Sequence, residues 1–214
     1  MSKWFLKKGG VHILLFIGLI GCHSPSLKEE QYVAYLNDAS NGLTQYKIHK
    51  NNLKISIQYR PGAYLAYGDL IKSDLLHTKA NYDSLKRGYD QNTTFYIQIE
   101  SLNPKLDLRS LLHPDVENTL KISEALTLLD EQLYTQLRLQ LENKQLFPSL
   151  CIRESLPGLN QKIGFIAVFP IALHSLKSSA KMCSLSFNDT FFGTGTDDFV
   201  YNLSDIQDAP EMIL

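Results

Sequence analysis

No apolar run in this chain approaches the roughly 20 residues that a helix needs to cross the hydrocarbon layer of a bilayer. The clearest, VHILLFIGLI over residues 11–20, has ten residues and is interrupted by His12 and Gly18. Charge of one sign is equally scarce: 21 Lys and Arg stand against 22 Asp and Glu, a net of −1. That leaves no basic footprint for nucleic acid and no polybasic patch for anionic lipid. No segment repeats at a fixed period and none is of low complexity, which argues against solenoids and long disordered tails. Metal and nucleophile signatures are missing too. His23, His49, His77, His113 and His174 form no H-E-x-x-H or H-x-H pair, and G-x-S-x-G is absent. No cofactor is implied.

What the chain does have is a distinctive beginning. Lys3, Lys7 and Lys8 precede the apolar run, and no acidic residue comes before Glu29. A cationic start followed by about ten apolar residues is the pattern of an export signal. Ordinary cleavage sites end in an A-x-A-like pattern, whereas this one ends Leu19-Ile20-Gly21-Cys22. That ending resembles the lipobox of bacterial lipoproteins. The resemblance implies cleavage between Gly21 and Cys22, a diacylglyceryl thioether on Cys22, and a bilayer as the partner of the acylated cysteine. Two or more acyl chains anchor stably where one holds only marginally. His23 in place of Asp at the sorting position resembles an outer-membrane destination, with the periplasmic or the surface face open. Residues 22–30 then read as the lipidated cysteine and a short tether, and residues 31–214 as a single globular domain.

Loss of residues 1–21 removes three lysines and no acids, leaving 193 residues with 18 basic and 22 acidic side chains. That length suits one domain with a substantial core. Two cysteines remain, Cys151 and Cys183. They could pair in an oxidising compartment, closing a loop of about 32 residues worth roughly 2–4 kcal/mol. Both lie in strand-like apolar segments, so two buried free thiols are the favoured alternative.

Periodicity gives a coarse map. Residues 27–36 place Leu27, Tyr32, Val33 and Leu36 near one helical face. Two alternating runs flank Asn51-Asn52, a two-residue hairpin connection. Arg60-Pro61-Gly62 marks a turn, and residues 63–89 lean to helix with a stop at Gly88. A strand is expected over 93–102. A long helix is expected near 115–132, packed on a sheet face, with a switch to strand near Tyr134. The last third reads as strands, and GFIAVF, apolar on both phases, suggests a strand covered on both faces. The expected architecture is α+β: an antiparallel sheet of about seven to eight strands with three to four helices. The segments NGL (41–43), IQYRPGAY (57–64) and FGTGTDDFVYNLSDI (192–206) resemble uncharacterised lipoproteins of Bacteroidota-type bacteria, a resemblance that implies a compartment and no activity.

Each candidate site has a plainer alternative. Ser178 and Lys181 satisfy S-x-x-K, but the partner motifs S-D-N and K-T-G are absent. Asp189, Asp197 and Asp198 lie around a glycine-rich loop and could offer oxygens to a hard cation. A hairpin in which glycines take positive φ and aspartates bond the local backbone explains the same residues, and is favoured. Paired carboxylates for glycoside cleavage meet only in space, so Glu100, Asp115 and Glu154 are guesses. Tyr59, Tyr64, Tyr67, Tyr82 and Tyr89 suit either a core edge or a sugar or protein contact. The expectation is therefore an envelope lipoprotein acting by binding, with an envelope protein as a partner. A hydrolase of glycans or peptides, and an inhibitor or immunity lipoprotein, are the alternatives.

Overall fold

A computed structural model describes residues 26–111, 122–154, 161–177 and 179–214. The leader, Gly21, Cys22, His23, His113, Asp115 and Ser178 lie outside the described residues.

The fold is α+β, with its main strands in two antiparallel sheets. β1 (Ser26–Leu27) and α1 (Glu29–Asn37) lead into β2 (Thr44–Ile48) and β3 (Leu53–Arg60). Two helices follow, α2 (Gly62–Lys72) and α3 (Lys79–Tyr89), then β4 (Thr93–Ser101). Beyond residue 121 come α4 (Ile122–Gln136), β5 (Leu137–Leu141), β6 (Lys144–Leu146), β7 (Leu150–Glu154) and β8 (Lys162–Phe169). The chain continues with β9 (Met182–Asp189), β10 (Gly195–Asn202), α5 (Leu203–Gln207) and β11 (Glu211–Met212). The larger sheet has the order β2-β3-β4-β8-β7 and the smaller β10-β9-β5-β6, while β1 and β11 form a separate parallel pair.

Strict alternation builds the larger sheet. Leu53, Ile55, Ile57 and Tyr59 of β3 point to one face, with Phe95, Ile97 and Ile99 of β4 and Ile163, Phe165, Ala167 and Phe169 of β8 beside them. All are buried, so one slip of register would carry the whole set to the opposite face. The smaller sheet supplies the other half of the core with Leu137, Leu139, Leu185, Phe187, Phe199 and Tyr201. The Tyr201 ring lies 5.2 Å from that of Phe95, and its hydroxyl donates to the Ile57 carbonyl at 2.8 Å. At one side Asp197 of β10 meets Lys47 Nζ at 3.2 Å and His49 Nε2 at 2.8 Å, joining β10 to β2 and the turn after it.

Several boundaries differ from the sequence reading. There are eleven strands among the described residues, nine of them in two sheets, and five helices. The strand-rich last third divides: β7 and β8 extend the sheet begun by β2–β4, whereas β5, β6, β9 and β10 make the second. α4 continues to Gln136, past the expected switch near Tyr134. Leu129 and Leu133, one turn apart, are buried, and Gln136 donates to Thr190 Oγ1 at 2.9 Å, so helical spacing persists until Leu137 starts the alternation. The start expected near 115 lies outside the described residues. α4 packs against β7 of one sheet and β9 of the other. The β2–β3 connection has three residues, because the His49 amide still donates to the Leu53 carbonyl at 2.8 Å, and Asn52 takes φ +61° as such loops require. α3 runs through Gly88 to Tyr89. Residues 26–30, expected to belong to the tether, are part of the folded body: Ser26 and Leu27 pair with Glu211 and Met212, and α1 starts at Glu29.

Cys151 sits on β7 and Cys183 on β9, strands of different sheets, and both are free thiols. The disulfide alternative is thereby set aside. Burial pushes both thiols up to about 12, which leaves them almost entirely protonated and unreactive at neutral pH.

Burial also raises Tyr32, Tyr59 and Tyr201 above the ordinary phenol value. Below about pH 10 both folded and unfolded states hold these protons, so the stabilisation is complete. Above it the unfolded chain ionises first, and stability falls by about 1.4 kcal/mol per pH unit for each such tyrosine. Alkaline titration should therefore show tyrosinate absorbance from these residues and loss of far-UV circular dichroism in one cooperative step. Complete tyrosinate formation in a chain that keeps its dichroism would contradict this core.

Candidate functional site

The outer face of the larger sheet is a mosaic set by the same alternation. Pairing aligns Arg60, Thr94, Val168 and Leu150 in one row, and Gln58, Tyr96, Ile166 and Ile152 in the next. A third row runs Ser56, Gln98, Gly164 and Glu154. Tyr96 can lean across β8 because residue 164 has no side chain. A Cβ there would lie 2.8 Å from Tyr96 Cζ and closer still to its hydroxyl. The Tyr96 hydroxyl bonds the Glu154 carboxylate, and burial, then that bond, raise its ionisation above the usual phenol range.

Arg60 closes β3, and Pro61 then turns the chain straight into α2. Gly62 starts the helix because a Cβ would meet Asp90, with its Cγ 3.1 Å away. The first turn brings Tyr64 back over the sheet, so the Arg60 guanidinium lies 4.1 Å from the Tyr96 ring centroid and 5.4 Å from that of Tyr64. Arg60 Nε is buried without a hydrogen-bond partner, and no carboxylate among the described residues pairs with the guanidinium. A charge that would normally be matched is held against two aromatic rings.

A cavity of about 400 Å³ opens here, between α2 and the outer faces of β3, β4, β8 and β7. Leu65, Ile71, Leu150, Ile166 and Val168 give it an apolar wall. The carboxylates of Glu29, Asp69 and Glu154 also border it, each engaged by a phenol. Tyr67 donates to Glu29 at 3.1 Å, Tyr89 to Asp69, and Tyr96 to Glu154. Burial, then the Asp69 bond, raises Tyr89 to about 12. A polar cavity of about 480 Å³ adjoins it across Arg60, lined by Ser56, Gln58, Tyr96 and Gln98 among others. Arg60 is thus the junction of an apolar and a polar compartment, both within the 300–1,000 Å³ range of ligand pockets.

The residues anticipated from sequence are scattered. Of the five tyrosines, Tyr59 and Tyr82 belong to the core, while Tyr64, Tyr67 and Tyr89 line the cavity. Glu154 lies in it, whereas Glu100 faces outward on β4 beside Gln98. Arg60, Tyr96 and Gly164 were not singled out; the signal for them was GFIAVF, whose second apolar phase is the cavity wall. His77 is exposed, and His174 borders a small hollow with Lys86, Asp90 and Glu211. Asp189 accepts the amides of Phe191, Phe192 and Thr194 at 2.9, 3.0 and 3.0 Å and the Thr194 hydroxyl at 2.7 Å. Asp197 holds Lys47 and His49, and Asp198 accepts from Ser186. The three aspartates organise strands and a loop in which Gly193 and Gly195 take φ +69° and +81°. No group of three metal-ligating side chains converges among the described residues.

No family model matches this chain, and no curated protein does. Among solved structures it is similar to a protein of unknown function from Burkholderia pseudomallei, at 11% identity and a TM-score of 0.39 over 84% of this chain and 88% of that one. A likeness of that size leaves the fold and the site to be argued from the chain itself.

Asp189→Ala should lower stability by about 2–4 kcal/mol, since several buried donors lose their acceptor at once. The thermal midpoint of the native protein should be the same in calcium and in chelator. A calcium-dependent rise that Asp189→Ala abolishes would instead mark the loop as a cation site.

Proposed function

We propose that this protein is a lipid-anchored component of the bacterial cell envelope, in the outer membrane, that acts by binding. The observation that carries the reading is three lysines followed by the ten-residue, mostly apolar run 11–20, whose last two residues open Leu19-Ile20-Gly21-Cys22. In this reading Cys22 bears the acyl chains, the bilayer is its partner, and the folded body serves an envelope protein or ligand as an accessory subunit. Three residues, 23–25, separate Cys22 from the β1–β11 pair, so the body sits within about 14 Å of the anchoring sulfur's backbone. Glu29, on the cavity border, follows only two residues after β1. In this reading the cavity border at Glu29 lies within about 25 Å of the anchored backbone. The described lining of the cavity combines apolar side chains with a guanidinium and hydrogen-bonding groups, which supports a binding role.

A glycan or peptide hydrolase is the second reading, favoured by three carboxylates on one cavity. Each is engaged by a tyrosine, an arrangement that suits orientation better than proton transfer. Turnover of cell-wall glycan or peptide by the purified protein, abolished by Glu154→Gln, would favour that reading.

Cys22→Ala should leave an uncleaved precursor that incorporates no labelled palmitate in the native host. Palmitate incorporation into the variant would overturn the anchor.

A further inference from the structure

Arg60 is a charge without a counter-charge in a position built for one. Its guanidinium is flanked by the Tyr64 and Tyr96 rings, which hold it in place and restrict its freedom before any ligand arrives. A planar guanidinium of this kind accepts a carboxylate through two parallel N–H donations. The rest of the surroundings narrow the ligand. Arg60 and Lys72 are the two cations on the apolar cavity, against Glu29, Asp69 and Glu154. A simple anion would satisfy Arg60 and face a net negative border. A dianionic phosphate would face it twice over. A molecule with a carboxylate at one end and an ammonium at the other complements both. The apolar wall of Leu150, Ile166 and Val168 calls for aliphatic substituents. In the adjoining strip the Gln58 and Gln98 amide nitrogens are engaged by Leu36 and Glu100, which turns the Ser56 hydroxyl and the two amide oxygens to a peptide's N–H groups.

We propose that the Arg60 cavity binds a short zwitterionic peptide with apolar side chains, its free C-terminal carboxylate on Arg60 and its ammonium at a border carboxylate. This rests on the binding role proposed above and names the ligand class of that same site. It is independent of the anchor, because palmitate labelling of Cys22 tests one and peptide titration the other. No bond is made or broken.

The test uses the full chain, with or without acylation, purified in detergent and titrated calorimetrically with the dipeptide Leu-Leu, with protein-free detergent as the blank. The expected result is saturable binding that weakens at least about tenfold when the peptide carboxylate is replaced by an amide, the loss expected for a charge-assisted fork. N-acetylation should weaken it by a smaller factor. Arg60→Met should abolish binding while Arg60→Lys retains part of it, with thermal midpoints recorded for both. Equal affinity for the peptide and its amide would overturn the proposal on the native protein alone, even if Arg60→Met fails to fold. Decanoate binding tighter than the peptide would overturn the peptide class in favour of a simple amphiphilic acid. Absence of binding by any of these probes would overturn the site.

Discussion

The hydroxyl of Tyr201 is the constraint from which the rest of the arrangement follows. A phenol buried this completely must find an acceptor, and the one it reaches is the Ile57 carbonyl, on a strand of the opposite sheet. Its ring meanwhile lies against Phe95, in the next strand over. One side chain of β10 is thus tied to two neighbouring strands of the larger sheet, by a directional bond and by packing. The Asp197 cluster adds a second tie near the end of β2. Together they set which residues of β3, β4 and β8 look inward.

The outward set is fixed by the same choice, and its composition is unusual for a sheet face. Arg60 and Tyr96 are diagonal neighbours across β3 and β4, within the reach of long side chains. The Tyr96–Glu154 contact exists because Gly164 leaves room beneath the ring. Each feature depends on one residue having the right size at the right register. The α2 helix then roofs half of this face with Tyr64 and Leu65, converting a mosaic into a concavity.

Alternation and turn chemistry made much of the fold legible: β3, β4 and the strands of the last third follow directly from apolar residues two apart. The division into two sheets was hidden, since pairing between β8 and β4 or between β9 and β5 depends on contacts far apart in sequence. The boundary at Gln136 was missed because Leu133 and Leu137 fit helical and strand spacing alike. Of the aspartates read as turn residues from the glycines around them, Asp189 does bond the local backbone, whereas Asp197 and Asp198 lie within β10 and bond side chains of β2, its turn and β9. Arg60 carried no local mark. It precedes Pro61 at the end of a strand, where a solvated charge is the ordinary expectation, and its aromatic flanks come from residues 4 and 36 positions away. GFIAVF did mark a strand apolar on both faces, but only the register shows that one of those faces is a pocket wall.

The parallel pairing of β1 with β11 ties the two ends of the described body together: the Ile213 amide donates to the Leu27 carbonyl at 2.9 Å. Entry and exit of the polypeptide therefore share one pole. Any fusion partner joined after Leu214 would emerge beside residue 26, on the side of the proposed anchor. Residues 74–77, an exposed connection within the chain, offer a reporter site at neither terminus.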